Sequence, residues 1–94
     1  MNTQRFVDST DGVRIAVYRQ GDGNAPILVL AHGHRDTHRV WDPVVGLLGD
    51  RFTIVRYDLR GAGDSTAPAA TASYRLDRFA DDFAAVLDLS LIHI

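Results

Sequence analysis

Residues 27–31, Ile-Leu-Val-Leu-Ala, are apolar at every position and run straight into a polar turn, His32-Gly33-His34-Arg35-Asp36. An unbroken apolar run of this length is the mark of a strand covered on both faces, as in the middle of a parallel sheet. Upstream, Val13, Ile15 and Val17 alternate with Arg14, Ala16 and Tyr18, the period of a half-covered antiparallel strand over 13–19. A shorter strand over 5–8 precedes it. The Ser9-Thr10-Asp11-Gly12 segment between them carries the Asp-Gly signal of a tight turn, so the pair predicts an edge hairpin.

After the polar turn the period changes. Val40, Trp41, Val44, Val45, Leu47 and Leu48 recur at helical spacing, with Asp42 as the expected N-cap, Pro43 in the first turn and Gly49 beyond the end. Phe52 to Tyr57 is a second strand, and strand, helix, strand at this spacing predicts a right-handed βαβ unit. In open α/β sheets chemistry gathers just past the carboxyl ends of such strands. That points to 32–36 and to 58–65, Asp-Leu-Arg-Gly-Ala-Gly-Asp-Ser. A loop rich in Ala, Thr and Pro follows over 66–73. From about residue 73 a last helix is predicted, with Leu76, Phe79, Ala80, Phe83, Val86 and Leu87 on its apolar face. Arg78, Asp81 and Asp82 fall together on the other side and read as a solvated charge cluster. The fold class is α/β: an N-terminal antiparallel hairpin, a βαβ unit and a following helix.

Composition narrows the function. The chain has 94 residues, enough for one small domain or part of a larger one, and is 46% hydrophobic and 23% charged. No apolar run approaches the roughly 18 residues of a membrane span, and no apolar signal region follows Met1. The absence of cysteine removes a thiolate nucleophile and fits a reducing, cytoplasmic setting. A net charge of −2, with Arg and Asp interleaved, gives no electrostatic footprint for nucleic acid. All 10 basic residues are Arg and all 12 acidic ones are Asp, a bias that fits GC-rich bacterial coding DNA.

Three stretches together resemble the α/β-hydrolase family, its epoxide-hydrolase-like branch most closely. They are Asp11-Gly-Val-Arg-Ile-Ala-Val-Tyr; the strand into His32-Gly33 with Asp36-Thr37-His38 and Trp41; and Asp58-x-Arg60-Gly61-x-Gly63-x-Ser65, ending on Phe79-Ala-Asp-Asp82. The resemblance covers residues 6 to 88 and implies the first half of an eight-stranded, mostly parallel sheet. It also implies a nucleophile in a G-x-[S/D]-x-G elbow further on, with the acid and His later still. No catalytic residue of that triad is expected in this chain, which by itself is expected to be inactive. Within the branch the nucleophile would be an Asp that opens an epoxide through a covalent ester. A Ser at the same place would make an esterase or related acyl hydrolase, and some relatives carry a C-terminal short-chain dehydrogenase domain. The intact enzyme would take a small hydrophobic substrate and no cofactor.

By the same resemblance, His32, Gly33, His34 and Arg35 form the oxyanion-side loop, in which the backbone N–H of His34 would face developing negative charge. The family pattern is His-Gly-x-Pro with an aromatic at x; His34 and Arg35 depart from it, and the loss of Pro removes a rigid φ. Arg35 reads as either solvent-exposed or a charge at the pocket mouth. His32 reads as a loop-orienting hydrogen-bonder. Asp58, Arg60 and Ser65 read as a structural turn network in which Gly61 and Gly63 give backbone freedom. The nearest string to an elbow, Gly63-Asp64-Ser65-Thr66-Ala67, lacks the last Gly, and Gly61-x-Gly63 lacks the third Gly of a dinucleotide loop.

Two further expectations stand beside this. The string His32-Gly-His34-Arg-Asp36-Thr-His38 resembles the zinc motif of metallo-β-lactamase-like hydrolases, with Thr37 inserted before the last His. It makes His32, His34, Asp36 and His38 a lower alternative metal set. Finally, Leu89-Ser-Leu-Ile-His-Ile94 breaks the Ala/Asp/Arg style and matches the translation of a transposase adapter, so residues 1–88 are read as native and 89–94 as a non-native tail. A half sheet of this kind is expected to leave the apolar faces of 27–31 and 52–57 uncovered.

Overall fold

The computed structural model describes residues 2–21 and 24–92. Two strands, β1 (Asn2–Asp8) and β2 (Arg14–Gln20), form the antiparallel hairpin, in register from Asn2 opposite Gln20 to Asp8 opposite Arg14. Their turn is closed by Ser9 N–H to Val13 O at 2.9 Å and Gly12 N–H to Ser9 O at 3.0 Å. β3 (Ile27–Ala31) and β4 (Thr53–Tyr57) are parallel, and the helix α1 (Asp42–Leu48) crosses between them. The helix α2 (Leu76–Ile92) closes the described chain. The strand order is β1-β2-β4-β3.

That order corrects one expectation. Within the described sheet β4 is paired on both sides, hydrogen-bonded to β2 on one and β3 on the other. Thr53, Ile54, Val55 and Tyr57 are therefore buried, whereas β3 at the edge is only half-buried. The predicted exposure of 27–31 follows from its free flank, and that of 52–57 does not occur.

The core lies between the sheet and α2. Val13, Ile15 and Val17 alternate onto the same face as Val55 and Tyr57, where Val86 of α2 completes the cluster with no exposed surface. Burying side chains of this size is worth about 1.5–3 kcal/mol each. Arg56 alternates to the opposite face, where it donates to His38 O at 3.1 Å and to the Asp42 carboxylate at 2.6 Å. It thereby ties the start of α1 to that face. Asp42 is not the N-cap: Trp41 holds that position without a side-chain cap bond, and Asp42 sits in the first turn paired with Arg56. A 3-10 turn, His38–Trp41, precedes the helix and is capped by the Thr37 hydroxyl, which accepts from Arg39 N–H at 3.2 Å.

α2 is also turned relative to expectation. Leu76 is 85% exposed and Phe83 41% exposed, while Asp82, Val86 and Ser90 are buried and Leu89 packs against the core. These positions follow one another at helical spacing, so the inward stripe contains a carboxylate that the hydropathy pattern had assigned to solvent. Residues 89–92 continue α2; 93 and 94 of the suggested tail lie outside the described residues. Among the described residues no helix is long and apolar enough to cross a membrane.

Candidate functional site

The carboxyl ends of β3 and β4 deliver two loops to one cleft of about 610 Å³. His32 to Arg35 line it from the first loop and Leu59 to Ala62 from the second, with Tyr74 and Phe79 opposite. Gly61, at φ 82°, has no room for a side chain, since a Cβ there would come within 2.9 Å of the Tyr74 ring.

His32 is the strut between the two loops. Its Nε2 accepts from Leu59 N–H at 3.0 Å, and its Nδ1 lies 2.7 Å from Gly33 O. A backbone N–H can only donate, so Nε2 presents a lone pair and Nδ1 carries the proton toward the carbonyl. Both ring nitrogens are spent on positioning. The next residues turn tightly, with Asp36 N–H donating to Gly33 O at 3.2 Å. Arg35 takes the left-handed conformation at φ 68°, the sole non-glycine to do so among the described residues. The backbone N–H of His34 has no acceptor among the described residues, and His34 itself is exposed at the cleft.

Asp58 organises the second loop. It is fully buried and its carboxylate accepts from His38 N–H at 2.8 Å, His38 Nδ1 at 2.8 Å, Tyr18 OH at 2.7 Å and Asp64 N–H at 3.1 Å. Burial alone would raise its pKa; the His38 backbone donor, the Tyr18 hydroxyl, the His38 ring and the Asp64 N–H together outweigh it and hold the carboxyl below the usual range. Burial and the bond to Asp58 push the Tyr18 phenol up, and its ring stacks on His38 with centroids 3.6 Å apart. Gly63 at φ 49° lies so close that a Cβ would overlap the Asp58 carboxylate. Ser65 is buried with its hydroxyl fully engaged, donating to Asp58 O at 2.6 Å and accepting from Ala16 N–H at 2.9 Å.

Arg60 is buried on the far side of the loop, and all five of its N–H groups are used. Nε and Nη2 grip Asp82 at 2.8 and 2.7 Å, Nη1 and Nη2 reach Asp11 at 2.9 and 3.2 Å, and Nη1 also donates to Ser73 O at 2.7 Å. The Arg60 hydrogen bond holds the Asp11 carboxyl down at about 2. One guanidinium thus joins the hairpin turn, the β4 loop and α2.

The alternative metal set is not brought together. His32 is committed to Leu59 and Gly33, and His38 to Asp58 and Tyr18, so the two rings hold different loops in place. Among the described residues no three His or Asp side chains converge on a metal-sized hollow. Sequence reasoning missed the site roles of Asp11, Tyr18 and Tyr74, assigned Asp82 to solvent and placed Phe79 only on the apolar face of the last helix. For Asp82 a signal existed, because it lies one turn from Val86 on the same helix face.

A mixed sheet with one helix crossing between its parallel strands, a second packed on the core, and a cleft at the strand carboxyl ends define an α/β enzyme-type scaffold. The chain belongs to the alpha/beta hydrolase fold family, whose model matches residues 26–93. It is 55% identical over 83 residues to "Probable oxidoreductase EphD" of Mycobacterium tuberculosis, a match covering 88% of this chain and 14% of that protein. It is 36% identical over 87 residues to "Epoxide hydrolase A" of the same organism, covering 92% of this chain and 27% of the relative. The crystal structure of Epoxide Hydrolase A from Mycobacterium thermoresistibile superposes with a TM-score of 0.81 at 30% identity, over 96% of this chain and 28% of that one. The chain therefore spans well under a third of the length of each.

Proposed function

We propose that these residues form the oxyanion-side loop and first half-sheet of an epoxide-hydrolase-like enzyme. The observation that carries the reading is the backbone N–H of His34 at the cleft, without an acceptor among the described residues, on a loop that His32 fixes to the end of β4. The similarity to Epoxide hydrolase A supports the branch. In the intact enzyme an Asp carboxylate supplied by the remainder of the fold attacks an epoxide carbon. The ring C–O bond breaks, the alkoxide takes a proton, and a covalent ester remains. A His-activated water then adds to the ester carbonyl, and negative charge builds on the carbonyl oxygen. A preorganised donor such as the His34 N–H stabilises that charge by about 3 kcal/mol. Collapse of the adduct breaks the acyl C–O bond, so that the diol leaves with the proton held by the His and the Asp carboxylate is restored. The apolar walls given by Leu59, Tyr74 and Phe79 suit a small hydrophobic substrate. The 94-residue chain, without nucleophile, acid or catalytic His, is inactive by itself.

The relative at 55% identity is named a probable oxidoreductase, which favours a second catalytic unit, an oxidoreductase domain carried elsewhere in the same polypeptide. In the same reading, 1–88 are the native portion of the hydrolase domain and 89–94 derive from adapter DNA, which sequencing past the Asp88 codon tests. For the hydrolase site the test is His34→Pro in the full-length protein, which removes the N–H donor. It lowers kcat by about 10²–10³ with KM little changed; an unchanged kcat contradicts the assignment.

A further inference from the structure

Among the described residues, the cleft contains one arginine side chain with no assigned task. Arg60 also lines it, but every N–H of its guanidinium is taken by Asp82, Asp11 and Ser73 O. Arg35 differs. It lines the cleft, it is exposed, and none of the ion pairs among the described residues involves it, including with its neighbour Asp36. Its backbone sits at φ 68°, a conformation that costs a non-glycine residue stability and that glycine would adopt freely. A long cationic side chain kept at a strained position on the rim of an apolar cleft points to a use for the charge.

We propose that Arg35 is a specificity-determining residue that selects substrates carrying a carboxylate. The anionic end pairs with the Arg35 guanidinium at the rim, and the apolar body lies along Leu59, Ala62, Tyr74 and Phe79. Arginine suits this task because its planar fork matches a carboxylate with two parallel hydrogen bonds. The inference rests on the hydrolase reading for the location of the cleft, and it adds the chemical class of the ligand. Arg35 takes no part in bond breaking.

The test uses inert probes, so that it does not depend on turnover. Dissociation constants of 4-phenylbutyrate and 4-phenylbutanol are measured on the full-length protein by isothermal titration, for wild type, Arg35→Gln, Arg35→Gly and Arg35→Lys. Arg35→Gly keeps the left-handed turn without strain, so any loss there reports the side chain. The carboxylate is expected to bind about tenfold more tightly than the alcohol in wild type, with the preference lost in Arg35→Gln and Arg35→Gly and only partly kept in Arg35→Lys, which retains the charge without the fork. Equal affinity for the two probes in wild type, no binding of either, or a preference that survives in Arg35→Gln overturns the proposal. A missing preference alongside normal epoxide turnover indicts Arg35 alone, whereas intact preference without turnover indicts the epoxide-hydrolase reading.

Discussion

Arg60 and Asp82 meet as a bidentate pair with Nε–Oδ2 at 2.8 Å and Nη2–Oδ1 at 2.7 Å, and neither side chain has any exposed surface. Their partners stand 22 positions apart in the chain, so the pair fastens α2 to the loop after β4. The cleft depends on this fastening, because Phe79 reaches it from α2 while Leu59 reaches it from that loop.

Removing one member of the pair strands the other in the interior. Asp82→Ala is expected to cost about 3–5 kcal/mol in urea unfolding, since the guanidinium loses two bonds it cannot recover from water. Arg75 and Asp77 form a pair of similar length, 3.0 Å, but with both side chains more than half exposed. Asp77→Ala should therefore stay within about 0.5 kcal/mol of wild type. Equal losses at the two sites would mean that Asp82 is not buried as described.

Acid stability follows from the same network. The Asp11 carboxyl is held at about 2 against an ordinary 3.8, and Asp58 is also held low. A folded-state pKa below the unfolded one gives stability that is complete above the unfolded value and lost as pH falls through the folded value. The melting temperature should thus be flat down to about pH 4 and fall steeply toward pH 2. Asp11→Asn should be less stable near neutrality and show a shallower fall over the same window. An unchanged slope in that variant would assign the acid sensitivity to other carboxylates.

His32 acts as a strut between the two loops, and one amide reports on it. His32→Ala leaves the Leu59 N–H without its acceptor, at a cost of about 1–3 kcal/mol if the group stays buried. Hydrogen exchange at the Leu59 amide should accelerate far more than at Val55 in the middle of β4. Uniform acceleration of both would indicate global destabilisation in place of a local loop release.

The strands and helices were legible because each follows its own hydrophobic period. What the pattern could not carry was placement across the sheet. The unbroken apolar run at 27–31 pointed to a central strand but not to the order of its neighbours: the crossover returns the chain between β2 and β3, so that in the described sheet β4 is the strand paired on both sides. The family resemblance rested on the motifs around His32 and Asp58, and it agrees with the fold and with the matched relatives. Asp82 was misassigned because an acidic residue among Arg78 and Asp81 reads locally as solvated; its partner Arg60 lies in a different loop. Asp42 had the right residue type for a cap, but the 3-10 turn from His38 moves the helix start forward and gives its carboxylate to Arg56. Tyr18 stacking on His38 has no local signal, since strand and turn come together only in the folded chain.

The central claim is that these residues serve a hydrolase working through a carboxylate ester. A single turnover of an aryl epoxide in heavy-oxygen water, with the full-length enzyme in excess, tests it directly. The account predicts that the first diol formed carries ordinary oxygen, donated by the Asp nucleophile, while the label appears in the protein carboxylate. A first-turnover diol that already holds the heavy isotope would contradict it.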